Sequence, residues 1–80
     1  MLGNANTGIA NAFGRVLRRE RRAQGLSQEA LALEAGIQRN YVSLIELGRN
    51  QPTVTVLFKL ATALKTPPST LIRLTEEEVY

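Results

Sequence analysis

Apolar residues in this 80-residue chain recur at intervals of three and four in five separate runs, the period of helices that turn one face inward. Ile9, Phe13, Val16 and Leu17 carry the first run, and Gly25 closes it as a C-cap residue, so a helix is predicted over about 9–24. In "LSQEALALEAG" Ser27 precedes the next run with Gln28 and Glu29 in its first turn, the opening of a capped helix over about 28–35. Gly36 tolerates positive φ, so the chain turns sharply between Gly36 and Gln38. A third helix follows over about 38–47, closed by Gly48. Pro52 breaks the pattern, Thr53 offers a new N-cap, and Val54, Leu57, Leu60, Ala61 and Leu64 mark a fourth helix. Pro67 and Pro68 stop it and open a short fifth, "PPSTLIRLTEEEV". The fold class is all-α, a compact five-helix bundle. Residues 1–8 lack periodicity and are expected to form a flexible arm, with one domain over 9–75 and an acidic tail over 76–80.

On a helical wheel of about 100° per residue, Tyr41, Val42 and Ile45 of the third helix point one way. Arg39, Asn40, Ser43 and Leu47 point the other. Leu31, Ala32, Ala35 and Ile37 supply the apolar side of the second helix and its turn, so the second and third helices share a small core. Tyr41 and Phe58 are expected inside, as core rather than as stacking platforms. The basic run "RVLRRERR" is expected to be solvated surface, with Arg18 or Arg22 the members nearest a phosphate.

Composition narrows the chemistry. The chain has no cysteine and no histidine, which removes disulfides, thiolate or imidazole metal sites, and the commonest nucleophiles and acid–base groups. Neither enzyme activity nor a metal or cofactor is expected. No apolar run approaches the roughly 18 residues of a membrane span and no basic leader opens the chain, so a cytoplasmic location without a membrane partner is expected. Net charge is only +3, but Glu76, Glu77 and Glu78 are three of the seven acids, leaving ten cations against four carboxylates before residue 76. Eight of the ten cations are arginine, whose planar fork fits phosphate and guanine edges. The outward stripe of the third helix has the chemistry of base reading: Arg39 suits guanine O6 and N7, Asn40 suits adenine N6 and N7, Ser43 suits either, and an apolar side chain such as Leu47 suits a thymine methyl.

A small residue at Ala32, a glycine at 36, and Val42 and Ile45 inward on the next helix together form the spacing of a helix-turn-helix. With "LSQEALA", "YVSLIELGRNQPT" and "LFKLATAL", the chain resembles the Cro/repressor-type (Xre) helix-turn-helix family across roughly residues 13–74. The resemblance implies a transcriptional regulator that binds double-stranded operator DNA as a homodimer, either a phage-type repressor or a restriction-modification controller. It implies base readout by Gln38, Arg39, Asn40 and Ser43, phosphate contacts by Gln28, Arg49 and Asn50, and a structural ion pair between Arg21 and Glu46. Leu47 departs from the family pattern, which often has a polar residue there. The dimer is expected to form through the last helix, with Leu71, Ile72 and Leu74 as candidates, and no small-molecule ligand is expected. An antitoxin whose main partner is a toxin protein is the alternative, and a non-DNA interaction module the third reading.

Overall fold

A computed structural model describes the backbone of residues 2–80 and the side chains of residues 8–80. Among the described residues the regular structure is helical: α1 Leu2–Ala23, α2 Gln28–Ala35, α3 Arg39–Glu46, α4 Val54–Ala63 and α5 Pro68–Val79. α1 lies along α5 and crosses α3, while α2 bridges α3 and α4. Each boundary has a local cause. Ser27 and Thr53 accept hydrogen bonds from the backbone N–H of Ala30 and Val56, at 3.0 and 3.1 Å, capping α2 and α4. Pro68 occupies the first turn of α5, where its missing N–H costs nothing.

Phe13, Val16 and Leu17 of α1 meet Leu31 and Ala35 of α2, Val42 and Ile45 of α3, Leu57 and Leu60 of α4, and Leu71 of α5 in one core. Burying a leucine or valine there stabilises the fold by about 1.5–3 kcal/mol each. Gly14, inside α1, allows the closest approach. A Cβ there would stand 2.5 and 2.6 Å from the carbonyl oxygens of Ile45 and Glu46, so α1 reaches the end of α3 only because position 14 has no side chain.

Four expectations are corrected. α1 begins at Leu2 rather than near Ile9, so the backbone expected to be an arm continues the helix as far back as Leu2; Met1 lies outside the described residues. Extending an existing helix adds one hydrogen bond per residue without a new nucleus, which weak helix formers such as Asn4 and Asn6 can follow. α5 is 12 residues long and takes in Glu76 to Glu78, so the acidic tail is its final turns and the fifth helix is not short. Phe58 is 55% exposed: it follows Leu57 by one residue, a 100° step off the inward line of Leu57, Leu60, Ala61 and Leu64. Leu71 is fully buried, because Leu71, Leu74 and Thr75 form the inward i, i+3, i+4 line of α5.

Candidate nucleic-acid interface

α3 is held from both ends. Gly36, at φ 71°, ends α2 with its N–H directed to Ala32 and Leu33 carbonyls, and the Ile37 N–H donates to the Ala32 carbonyl at 3.0 Å. The chain reverses within these two residues and enters α3 at Gln38. At the far end the N–H groups of Arg49 and Asn50 donate to the Leu44 carbonyl at 2.9 and 3.3 Å, folding the following loop back on the helix. Gly48 adopts φ 76° against Asn11 of α1, whose side-chain oxygen occupies the place of a Cβ. Arg49 and Asn50 are thereby fixed beside α3.

A buried cation–carboxylate pair ties α3 to the first two helices. Arg21 Nε donates to Glu46 Oε2 at 2.6 Å and Nη2 to Oε1 at 3.0 Å, while Nη1 donates to the Leu26 carbonyl at 2.7 Å. Gln28 Nε2 adds a bond to Glu46 Oε1 at 3.1 Å. The Arg21 and Glu46 side chains are 9% and 3% exposed. The hydrogen bonds that Arg21 donates to Glu46 raise the Arg21 pKa above its ordinary value, against the opposing effect of burial. The ion pair expected between these residues is present, and Gln28, expected at a phosphate, also braces the carboxylate; one amide hydrogen satisfies Glu46 and the second is left over.

The outward face of α3 contrasts with this frame. Gln38, Arg39 and Asn40 are exposed and Ser43 is half-buried. Gln38 occupies the N-cap position without a side-chain cap bond. Among the described residues, none of these four side chains has an intramolecular hydrogen-bond or ion-pair partner. Gln38, Asn40 and Asn50 border one open depression with Ile37, Tyr41 and Leu44, so the start of α3 and the loop after it share a surface. Arg49 is exposed on the same loop. Some cations are engaged elsewhere: Arg15 and Arg19 with Glu78 at 3.0 and 3.3 Å, and Arg73 with Glu77 at 2.9 Å. Among the described residues Arg39 and Arg49, like Arg18, Arg22, Lys59 and Lys65, have no such carboxylate, so the surface around α3 keeps its positive charge.

Two residues were not singled out from the sequence. Gly14 signals itself by standing in a helix interior, where glycine costs about 1 kcal/mol relative to alanine. Leu44 borders the depression yet falls between the two faces of the wheel, so periodicity leaves it unassigned. Leu47 is 57% exposed at the end of α3. Of the candidates on the last helix, Ile72 is half exposed and Leu74 is half-buried against the core. Ile72 shares a shallow apolar surface with Ile9, Val79 and Tyr80. Among the described residues there is no cluster of three potential metal ligands, and no helix is long and apolar enough to cross a membrane.

Comparison with known proteins meets this geometry. A helix-turn-helix family model matches residues 17–71, which spans both α2 and α3. The HTH-type transcriptional regulator y4dJ of Sinorhizobium fredii is 39% identical over 62 residues, covering 78% of this chain and 80% of that protein. The restriction-modification controller protein C.AhdI of Aeromonas hydrophila superposes with a TM-score of 0.76 at 44% identity, over 78% of this chain and 94% of that one. The controller C.Esp1396I, solved as a tetramer in complex with its natural 35 base-pair operator, shares the fold with a TM-score of 0.80 at 22% identity, over 89% of this chain and 93% of that one.

Proposed function

Since the chain belongs to the Xre-type helix-turn-helix family, we propose that it is a sequence-specific regulator of transcription that binds duplex DNA through α3. The observation that carries this reading is the unpartnered stripe of Gln38, Arg39, Asn40 and Ser43 on a helix braced by the Arg21–Glu46–Gln28 network. A helix fits the B-form major groove with the side chains of its N-terminal end on base edges. Arg39 reads guanine, and the carboxamides of Gln38 and Asn40 read adenine. Arg49, Asn50 and the free amide hydrogen of Gln28 hold phosphates and set the register. The identity to C.AhdI over almost the whole of that protein supports the finer role of a restriction-modification controller.

The working form is a homodimer on an operator of two inverted half-sites. Leu71 is excluded from its interface by burial, and Ile72 takes its place, with Ile9, Val79 and Tyr80 around it. Selection of bound duplexes from a random pool tests the function: an inverted-repeat consensus is expected, and recovery of unrelated sequences refutes sequence reading. Sedimentation of Ile72→Asp tests the interface. The variant is expected to run as monomer at concentrations where the parent is dimer, and an unchanged mass places the interface elsewhere.

A further inference from the structure

We propose that Glu78 is a positioning residue for self-association: its ion pairs with Arg15 and Arg19 hold the last turn of α5 on α1, and that turn completes the apolar surface through which two copies join. This rests on the interface around Ile72 argued above. Leu71, Leu74, Thr75 and Glu78 follow one line of α5 at i, i+3, i+4 and i+7. Leu71 and Leu74 pack in or on the core, and Thr75 is buried. Glu78 lies one turn further along, where the line meets two guanidiniums of α1, Arg15 Nε at 3.0 Å from Oε1 and Arg19 Nη1 at 3.3 Å from Oε2. Each carboxylate oxygen thus takes one arginine. The neighbouring glutamates make no such link among the described residues: Glu77 pairs with Arg73 inside α5, and Glu76 borders the apolar surface.

Val79 stands on the next line, with Ile72 and Glu76, about 100° round the helix from Glu78. The same turn therefore meets the arginines with one side and adjoins Ile72 and Ile9 with the other. Tyr80 follows it, its N–H bonded to the Glu76 carbonyl at 2.9 Å. Helix ends open at almost no cost unless something outside the helix holds them. Without the clamp Val79 and Tyr80 are in place only part of the time, and the association constant falls with the square of that fraction, because both partners of a symmetric dimer present the same surface. Salt separates this device from plain apolar association. Apolar burial does not depend on screening, and copies that carry +3 each repel less as salt is added, so an apolar interface alone holds or tightens. A clamp whose arginine side chains are 57 and 50% exposed is screened, and the dimer loosens.

Sedimentation equilibrium of the DNA-free protein from about 0.05 to 1 M sodium chloride, where the screening length falls to about 3 Å, tests the clamp. The dimer is expected to weaken about 10-fold over this range, the square of the roughly 3-fold that an exposed pair is worth in each copy. Glu78→Gln should start about 10-fold weaker and show no further loss with salt. Arg15→Glu combined with Glu78→Arg keeps the net charge and should recover both the affinity and its salt dependence. In the Ile72→Asp monomer, Glu78→Gln should move the Cα chemical shifts of residues 76–80 toward coil and leave those of α2, α3 and α4 in place. A dimer that holds or tightens with salt, a Glu78→Gln dimer as tight as the parent's, or unmoved shifts at 76–80 overturns the role of Glu78 while Ile72→Asp still dissociates the dimer. An Ile72→Asp variant that stays dimeric overturns the surface and the clamp together.

Discussion

Removing Glu46 tests whether the frame behind the reading helix works as the geometry requires. Glu46→Ala deletes the acceptor of two Arg21 bonds and one Gln28 bond, leaving a guanidinium whose side chain is 9% exposed with the Leu26 carbonyl as its remaining partner. Breaking a buried pair by removing one partner costs about 3–5 kcal/mol, because the surviving charge is neither hydrated nor compensated. A domain of this size has a total stability toward the low end of about 5–15 kcal/mol, so the variant should be only marginally folded at 25 °C. With a urea dependence of about 1 kcal/mol per molar, its midpoint should fall by roughly 3–5 M. Replacing both charges at once, Arg21→Met with Glu46→Leu, should restore most of the loss, since an apolar pair of similar volume carries no desolvation penalty. Urea titrations of the parent, Glu46→Ala, the single variants Arg21→Met and Glu46→Leu, and the double variant, followed by circular dichroism, give the full cycle. A loss under about 1 kcal/mol for Glu46→Ala would equate the pair with a surface ion pair and refute the bracing argument, as would a double variant no more stable than the sum of the single losses predicts.

Arg39→Ala should weaken the selected duplex by about 1–3 kcal/mol and relax preference at one base pair, measured by competition between operator variants; equal losses on operator and random DNA would reject its reading role. Gly14→Ala should lower stability by about 1–3 kcal/mol as α1 is pushed off α3, although alanine favours an isolated helix by about 1 kcal/mol. A melting temperature equal to or above the parent's would show that the crossing gives way freely. The Arg15 and Arg19 hydrogen bonds hold the Glu78 carboxyl below its ordinary value of 4.5, so its contribution is present above that value and disappears as pH falls through the depressed one. The stability gap between the parent and Glu78→Gln should therefore be open at pH 7 and close in acid; a gap independent of pH would contradict the pairing.

The sequence made the interior legible because burial imposes a period, and the residues that define the period need only their own spacing to be found. Val42 and Ile45, or Leu57, Leu60 and Leu64, fall on one line whatever surrounds them. The positions beside such a line are not fixed in this way. A 100° step separates Leu57 from Phe58 and Leu71 from Ile72, and apolar character gives no sign of which member of each pair the neighbouring helix covers. Phe58 and Ile72 are on the outer side, Leu71 on the inner, and only the packing of α4 and α5 against the rest decides it. Leu44 is the same case on α3, half-buried between the inward and outward lines. Arg39 and Asn40, by contrast, could be recognised beforehand, because an uncompensated polar group is costly to bury and their place outside followed from chemistry as much as from spacing. The ambiguous positions are thus apolar ones on the flank of a helix, and it is there that a fold with a fixed polar stripe on α3 can vary what it exposes. A change at Ile72 or Phe58 leaves the buried line and the Arg21–Glu46 pair intact, so the exposed flanks of α5 and α4 can each change without the bundle having to be repacked.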